Sequence, residues 1–177
     1  CELSDANVNV ICYGCTTGSL FRGLGHDQML ARRIEEKTNI PAIMTAGAVV
    51  EALRSLNMKK ITVTTPYTRE VSEVESRFLA ANGFDVLKIA GLGISKNLDI
   101  GLLGPEVALD FARKNHLKDA DGAFISCTNF RTIEIIEKLE KELGKPVVSS
   151  NVATAWKTLR VLKSKAKVKS YGRLLAT

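Results

Sequence analysis

Val10-Ile11-Cys12-Tyr13-Gly14-Cys15-Thr16-Thr17-Gly18-Ser19 and Ala123-Phe124-Ile125-Ser126-Cys127-Thr128-Asn129 read as two copies of one motif. Each begins with a short apolar run of the kind that makes a buried strand, then passes through Cys-Thr into a helical pattern. A cysteine between a strand and a helix N-terminus lies beside unpaired backbone N–H groups and the positive helix end, which favour thiolate. Two such places in one chain say more than either alone. The spacing predicts that Cys15 and Cys127 face each other across one site.

The repeat extends outward from these cysteines. Cys15 leads through a helical segment, His26 to Lys37, to a short strand at Pro41-Ala-Ile-Met-Thr45 and a helix opened by Gly47. Cys127 leads through an amphipathic segment with Ile133, Ile136, Leu139 and Leu143 to Pro146-Val-Val-Ser149 and a helix from Val152 to Leu162. Two further units precede the second copy. One is the strand Lys60 to Thr65 with a helix capped by Thr68, and the other is the strand Phe84 to Ala90 with a helix from Pro105 to Asn115. Strands alternating with helices at this spacing make right-handed βαβ units and parallel sheets, with sites at the carboxyl ends of the strands. The expected fold is α/β, with two Rossmann-like lobes related by a pseudo-twofold and a cleft between them. Residues 1–57 form the first lobe, 58–162 the second, and 163–177 a tail whose Leu174 and Leu175 pack back on the first lobe. The first copy lacks a counterpart to the two extra units, so the N-terminal part of the first lobe is expected to be absent from this chain.

Composition narrows the chemistry. The chain has 177 residues, 45% of them apolar and few aromatic, with a formal net charge of +6. No run reaches the roughly 18 apolar residues of a membrane span, and no signal-peptide pattern opens the chain. Four cysteines at this length do not make a disulfide scaffold, which suggests a cytoplasmic protein with working thiols. Lys157, Arg160, Lys163, Lys165, Lys167, Lys169 and Arg173 concentrate the charge near the C-terminus. No groove-reading motif or stacking aromatic accompanies them, so no nucleic-acid partner is expected. Cys12 and Cys15 form a C-x-x-C, yet Phe124 stands at the matching position of the second copy, which speaks against a dithiol. His26 and His116 fall in helical patterns with polar neighbours and read as surface residues, and no metal site is expected. Gly91-x-Gly93 lacks the third glycine of a dinucleotide fingerprint, and no Walker lysine is present.

The residues beside the two thiols suit an anion. Thr16, Thr17, Ser19, Thr128, Asn129, Ser149, Ser150 and Asn151, with nearby backbone N–H groups, can hold carboxylate oxygens without a metal, although each alone is an ordinary helix cap. Tyr67 can donate to the same oxygen. Paired thiols can move a proton between two faces of a carbon, or one can add to an electrophilic carbon while the other manages protons.

Ile125-Ser-Cys-Thr-Asn129, Gly144-Lys-Pro-Val-Val-Ser-Ser-Asn151 and Ala153-Thr-Ala-Trp156 resemble the maleate cis–trans isomerase and arylmalonate decarboxylase branch of the aspartate/glutamate racemase superfamily. Cys15-Thr-Thr-Gly-Ser19, Ala46-Gly-Ala48 with Glu51-Ala-Leu53, and Thr65-Pro-Tyr67 extend the likeness over nearly the whole chain. The resemblance implies a cofactor-independent, homo-oligomeric enzyme with a small dicarboxylate between its lobes. It implies Cys15 and Cys127 as catalytic residues, and Thr16, Thr17, Tyr67, Asn97 and Thr128 as substrate-binding residues. Isomerase-type members use the first cysteine as nucleophile, whereas decarboxylase members carry Gly there. Cys15 therefore favours isomerase or racemase over decarboxylase. A thiol redox protein or a non-catalytic binding protein is the alternative outside enzymes.

Overall fold

The computed structural model describes residues 2–177. In chain order its elements are α1 (Glu2–Asp5), β1 (Ile11–Tyr13), α2 (Thr16–Leu20), α3 (His26–Thr38), β2 (Ala42–Met44), α4 (Thr45–Ser55), β3 (Lys60–Thr65), α5 (Arg69–Ala81), β4 (Asp85–Gly91), α6 (Asn97–Gly101), α7 (Pro105–Asn115), β5 (Gly122–Ile125), α8 (Ile136–Leu143), β6 (Val147–Ser149), α9 (Ser150–Val161) and α10 (Arg173–Ala176). The fold is α/β with parallel sheets. β1 pairs with β2, and a second sheet runs β4-β3-β5-β6. Among the described residues, no helix is long and apolar enough to cross a membrane.

The second sheet is central because three of its strands, β3, β5 and β6, carry strongly apolar sequence. Ile61 and Val63 of β3, Phe124 and Ile125 of β5, and Val147 and Val148 of β6 are fully buried. Such continuous apolar runs are what a strand covered on both faces requires. α5 places Phe78 and Leu79 against this sheet, and Asn82 with Gly83 at φ +89° ends it. α7 runs from Pro105 to Asn115, with proline in its first turn. All strands in each sheet point one way. Tyr67, Gly91, Ser126 and Ser149 thus gather at the carboxyl end of the larger sheet, and Gly14 and Thr45 at the carboxyl end of the smaller one.

The last helices of the two sequence copies, α4 and α9, pack against each other. Thr154 donates to Thr45 at 3.2 Å, Cys12 Sγ lies 3.3 Å from Thr158 Oγ1, and Lys157 pairs with Glu51 at 2.6 Å. Gly47, expected to open α4, lies inside it. The helix begins at Thr45, whose hydroxyl reaches back to the carbonyl of Tyr13.

The tail departs from its expected place. Leu174 and Leu175 are buried as anticipated, but α10 lies on α9, and Gly172 lies close to Ile136 and Glu140 of α8. These receiving elements fall within residues 58–162 rather than 1–57. Glu140 anchors the tail: its Oε1 accepts the Val147 N–H at 2.9 Å and its Oε2 accepts the Arg173 N–H at 2.9 Å. Glu140→Ala leaves both donors without their carboxylate. The variant is expected to lose about 2–4 kcal/mol of stability and to be cut sooner by protease between 163 and 172, read by urea unfolding and limited trypsinolysis.

Candidate functional site

Each Cys-Thr loop is built differently. Cys15 is the N-cap of α2 in extended conformation, half-buried, and its Sγ accepts the Gly18 N–H at 3.3 Å with Thr17 Oγ1 at 3.6 Å. This is the expected helix-start thiol. Cys127 is not one. The chain from 127 to 135 forms turns, and α8 begins only at Ile136. The helical spacing that included Ile133 misleads because Phe130 and Thr132 turn into the core while Ile133 is left 37% exposed.

Cys127 instead takes φ +89°, a conformation that non-glycine residues rarely adopt and that costs on the order of 1–3 kcal/mol. The backbone N–H groups of Asn129 and Phe130 and the hydroxyl of Tyr67 lie beside its thiol. These donors favour thiolate, but burial outweighs them, and the thiol is pushed above its ordinary value.

The two loops are bonded directly to each other. Ser150 Oγ accepts the Thr16 hydroxyl at 2.9 Å and the Cys127 N–H at 3.1 Å, and the Thr128 hydroxyl donates to the Gly14 carbonyl at 2.9 Å. Ser19, fully buried, donates to the carbonyls of Cys15 and Thr16 and accepts the Ala46 N–H. Several hydroxyls read as a carboxylate cradle are therefore braces: Thr16, Ser19 and Ser150 hold the loops, and Ser149 caps α9. Ser150→Ala leaves the Thr16 hydroxyl and the Cys127 N–H without their shared acceptor. The expected cost is about 2–4 kcal/mol in urea unfolding.

Two cavities flank this junction. One, of about 450 Å³, is lined by Thr17, Gly18, Tyr67, Ile94 and Ser95 with apolar walls from Phe21, Val71 and Ile100. The other, of about 390 Å³, is lined by Gly14, Asn97, Thr128, Asn129, Asn151 and Thr154. The expected site residues thus divide, Thr17 and Tyr67 to the first cavity and Asn97 and Thr128 to the second, while Thr16 lies buried beneath. Cys15 sits between Gly14 of one cavity and Thr17 of the other. Cys127 joins them from the other loop, beside Tyr67 and followed by Thr128. Asn97 accepts from Asn129 Nδ2 at its backbone oxygen (2.7 Å) and at Oδ1 (3.2 Å), which leaves its own Nδ2 as donor.

Tyr67 is held by the chain that follows β4. The Gly93 N–H donates to the Tyr67 carbonyl and the Ile94 N–H to that of Pro66. Gly91 allows this approach, since a Cβ there would lie 2.5 Å from the Tyr67 carbonyl oxygen. Burial, and after it the charge of Glu75, push the Tyr67 hydroxyl far above its ordinary range, so it stays a donor. Glu75 and Ser126, both fully buried, were not singled out from sequence; Ser126 donates to Glu75 Oε1 at 2.6 Å. A signal existed, because Glu75 falls in the apolar stripe of Val71, Val74, Phe78 and Leu79.

The C-x-x-C pair does not act together here: Cys12 is turned to Thr158 of α9, and both thiols are free. His116, read as a surface residue, is half-buried with its Nδ1 3.1 Å from the Thr62 hydroxyl. Among the described residues, no three His, Cys, Asp or Glu side chains cluster as metal ligands would.

With this geometry in place, comparison with known proteins is decisive. A profile of the arylmalonate decarboxylase family matches residues 1–175. The chain belongs to the arylmalonate decarboxylase family. Its relatives include both chemistries. The maleate isomerase of Alcaligenes faecalis is 29% identical over 99% of this chain and 72% of its own length. The arylmalonate decarboxylase of Bordetella bronchiseptica is 30% identical over 90% of this chain and 68% of its own. The maleate cis–trans isomerase of Nocardia farcinica, solved as a cysteine-to-serine mutant with a covalently bound succinylcysteine intermediate, superposes with a TM-score of 0.95. It is 29% identical, and the match covers 99% of this chain and 74% of the isomerase. Within the arylmalonate decarboxylase family this chain is therefore similar to isomerases that work through cysteine.

Proposed function

We propose that this chain is a cofactor-independent isomerase of a small dicarboxylate, of the maleate-to-fumarate kind, with Cys15 as nucleophile and Cys127 as acid and base. The observation that carries the reading is the junction itself, two cysteine loops tied through Ser150 with a hydroxyl donor, Tyr67, on one thiol. The Cys15 thiolate adds to one alkene carbon, and the Cys127 thiol protonates the other. The resulting single bond rotates, the Cys127 thiolate takes the proton back, and the C–S bond breaks with the double bond reformed. No redox change occurs and every proton is returned.

The carboxylates fit donors already in place: the backbone N–H groups at Thr16 and Thr17, the Thr17 hydroxyl and Asn97 Nδ2. Thr128, whose hydroxyl is donated to Gly14, would contribute through its backbone N–H. The two-lobe division at residues 1–57 and 58–162 belongs to the same proposal, supported by the packing of α4 on α9.

NMR of maleate, phenylmalonate and aspartate incubated separately with the protein in deuterated water tests the reading. Fumarate is expected from maleate. Loss of carbon dioxide from phenylmalonate, or deuterium entering aspartate with maleate unchanged, would replace it with decarboxylation or racemisation.

A further inference from the structure

We propose that Glu75 is the proton-holding partner of Cys127, exchanging one proton with its thiol through the hydroxyls of Tyr67 and Ser126. Glu75 lies on α5, has no exposed surface, and faces the carboxyl ends of β3 and β5. One of its oxygens takes the 2.6 Å bond from Ser126; the other, Oε2, has no partner. Ser126 is fully buried, and the Tyr67 hydroxyl lies beside both Ser126 and Cys127 and interacts with each. The side chains thus form one line, Glu75, Ser126, Tyr67, Cys127, from the core to the site.

Each hydroxyl in that line has one hydrogen, and this gives the line two complete arrangements. In one, Cys127 is a thiol, Glu75 is ionised and Ser126 donates to it. In the other, Cys127 is a thiolate receiving the Tyr67 hydrogen, Tyr67 receives that of Ser126, and Ser126 receives the hydrogen of a neutral Glu75. Passing between them breaks the Cys127 S–H bond and forms a Glu75 O–H bond, while each hydroxyl gives one hydrogen and takes another. No co-reactant is needed. Buried so close together, Glu75 and Cys127 avoid being negative at the same time, and each raises the cost of ionising its neighbours.

Ionisable groups facing Glu75 from the packed elements are Tyr67, after β3, and Cys127, after β5. β4 also packs on α5 and carries Asp85 and Lys88, but neither charge acts on Glu75, whose carboxyl is shifted by burial and by Ser126 alone. α2, the other helix on α5, carries no ionisable side chain. Burial raises the Glu75 carboxyl to about 7, and the Ser126 bond opposes that rise. Glu75 therefore changes charge near neutral pH. Its use in turnover rests on the isomerase reading, in which Cys127 must be thiol at one step and thiolate at another; Glu75 touches the substrate only through Cys127.

Carbon-13 NMR of the protein labelled at the glutamate carboxyl and cysteine Cβ positions reads both groups directly. The Glu75 signal is expected to titrate near neutrality and to show a second, smaller step where Cys127 ionises; Cys127→Ser should abolish that second step. Glu75→Gln should lower the Cys127 midpoint, through loss of the opposing charge. Ser126→Ala, which leaves both acids in place, should move the Glu75 step upward. A Glu75 signal with one step in the ordinary carboxylate range, or a Cys127 midpoint unmoved by Glu75→Gln, would overturn the proposal. These titrations read protonation rather than turnover, so they succeed or fail separately from the choice of reaction.

Discussion

Alanine at Cys15 is expected to remove conversion of maleate to fumarate, by on the order of 10³-fold or more, because it removes the sulfur that forms the C–S bond. Cys127→Ala should do the same through loss of the proton donor. Cys12→Ala, whose thiol is bonded to Thr158 on the far helix, should stay within about threefold of the parent. The three variants separate the rival readings. Decarboxylation requires activity on phenylmalonate to survive loss of Cys15, and a thiol redox role requires Cys12. A direct view of the nucleophile comes from Cys127→Ser incubated with maleate. Peptide-resolved mass spectrometry should find a succinyl group on Cys15 and none on Cys12. A succinyl group confined to another residue would remove Cys15 from its role.

The second large effect is on stability against pH. The Glu75 carboxyl is raised from 4.5 to about 7 by burial. Below the lower value it is protonated in both folded and unfolded chains, and its contribution is fully present and independent of pH. Between the two, the folded protein keeps a proton that the unfolded chain has released, so its contribution falls as pH rises. Above about 7 the whole contribution is lost, on the order of 3 kcal/mol for a fully buried group. Urea unfolding of the parent and of Glu75→Gln should show the gap between them moving in favour of the variant from pH 5 to pH 8. A gap that stays constant across that range would contradict the assigned titration.

Much of the fold could be read because its strands are short apolar runs stopped by Thr, Ser, Pro and Gly. Lys60–Thr65 and Pro105–Asn115 coincide with their elements, β5 and β6 differ from expectation by a residue at one end, and β2 and β4 by a residue at each end. Cys15 was legible as a helix cap because a cap is a local property. Cys127 was not, since its donors come from a turn whose shape depends on Phe130 finding a place in the core. Glu75 stood in plain sight within an apolar stripe. Only the three-dimensional neighbour Ser126, 51 positions away, shows what the carboxyl does there. The destination of the tail was equally hidden: two adjacent leucines announce burial, while the surface receiving them is set by Glu140 and by the close approach at Gly172.

Ser150 has a consequence for how such a protein can change over generations. One oxygen accepts from both cysteine loops, so a substitution that shifts one loop pulls on the other, and drift in either is opposed by both. If the proposed reaction takes place here, variation in substrate preference falls to side chains outside this linkage: Phe21, Val71, Ile94 and Ile100 on one cavity wall. A combinatorial library confined to those four positions should keep the chemistry and alter what it accepts, whereas one spanning residues 14–17 and 126–129 should return mostly unfolded chains.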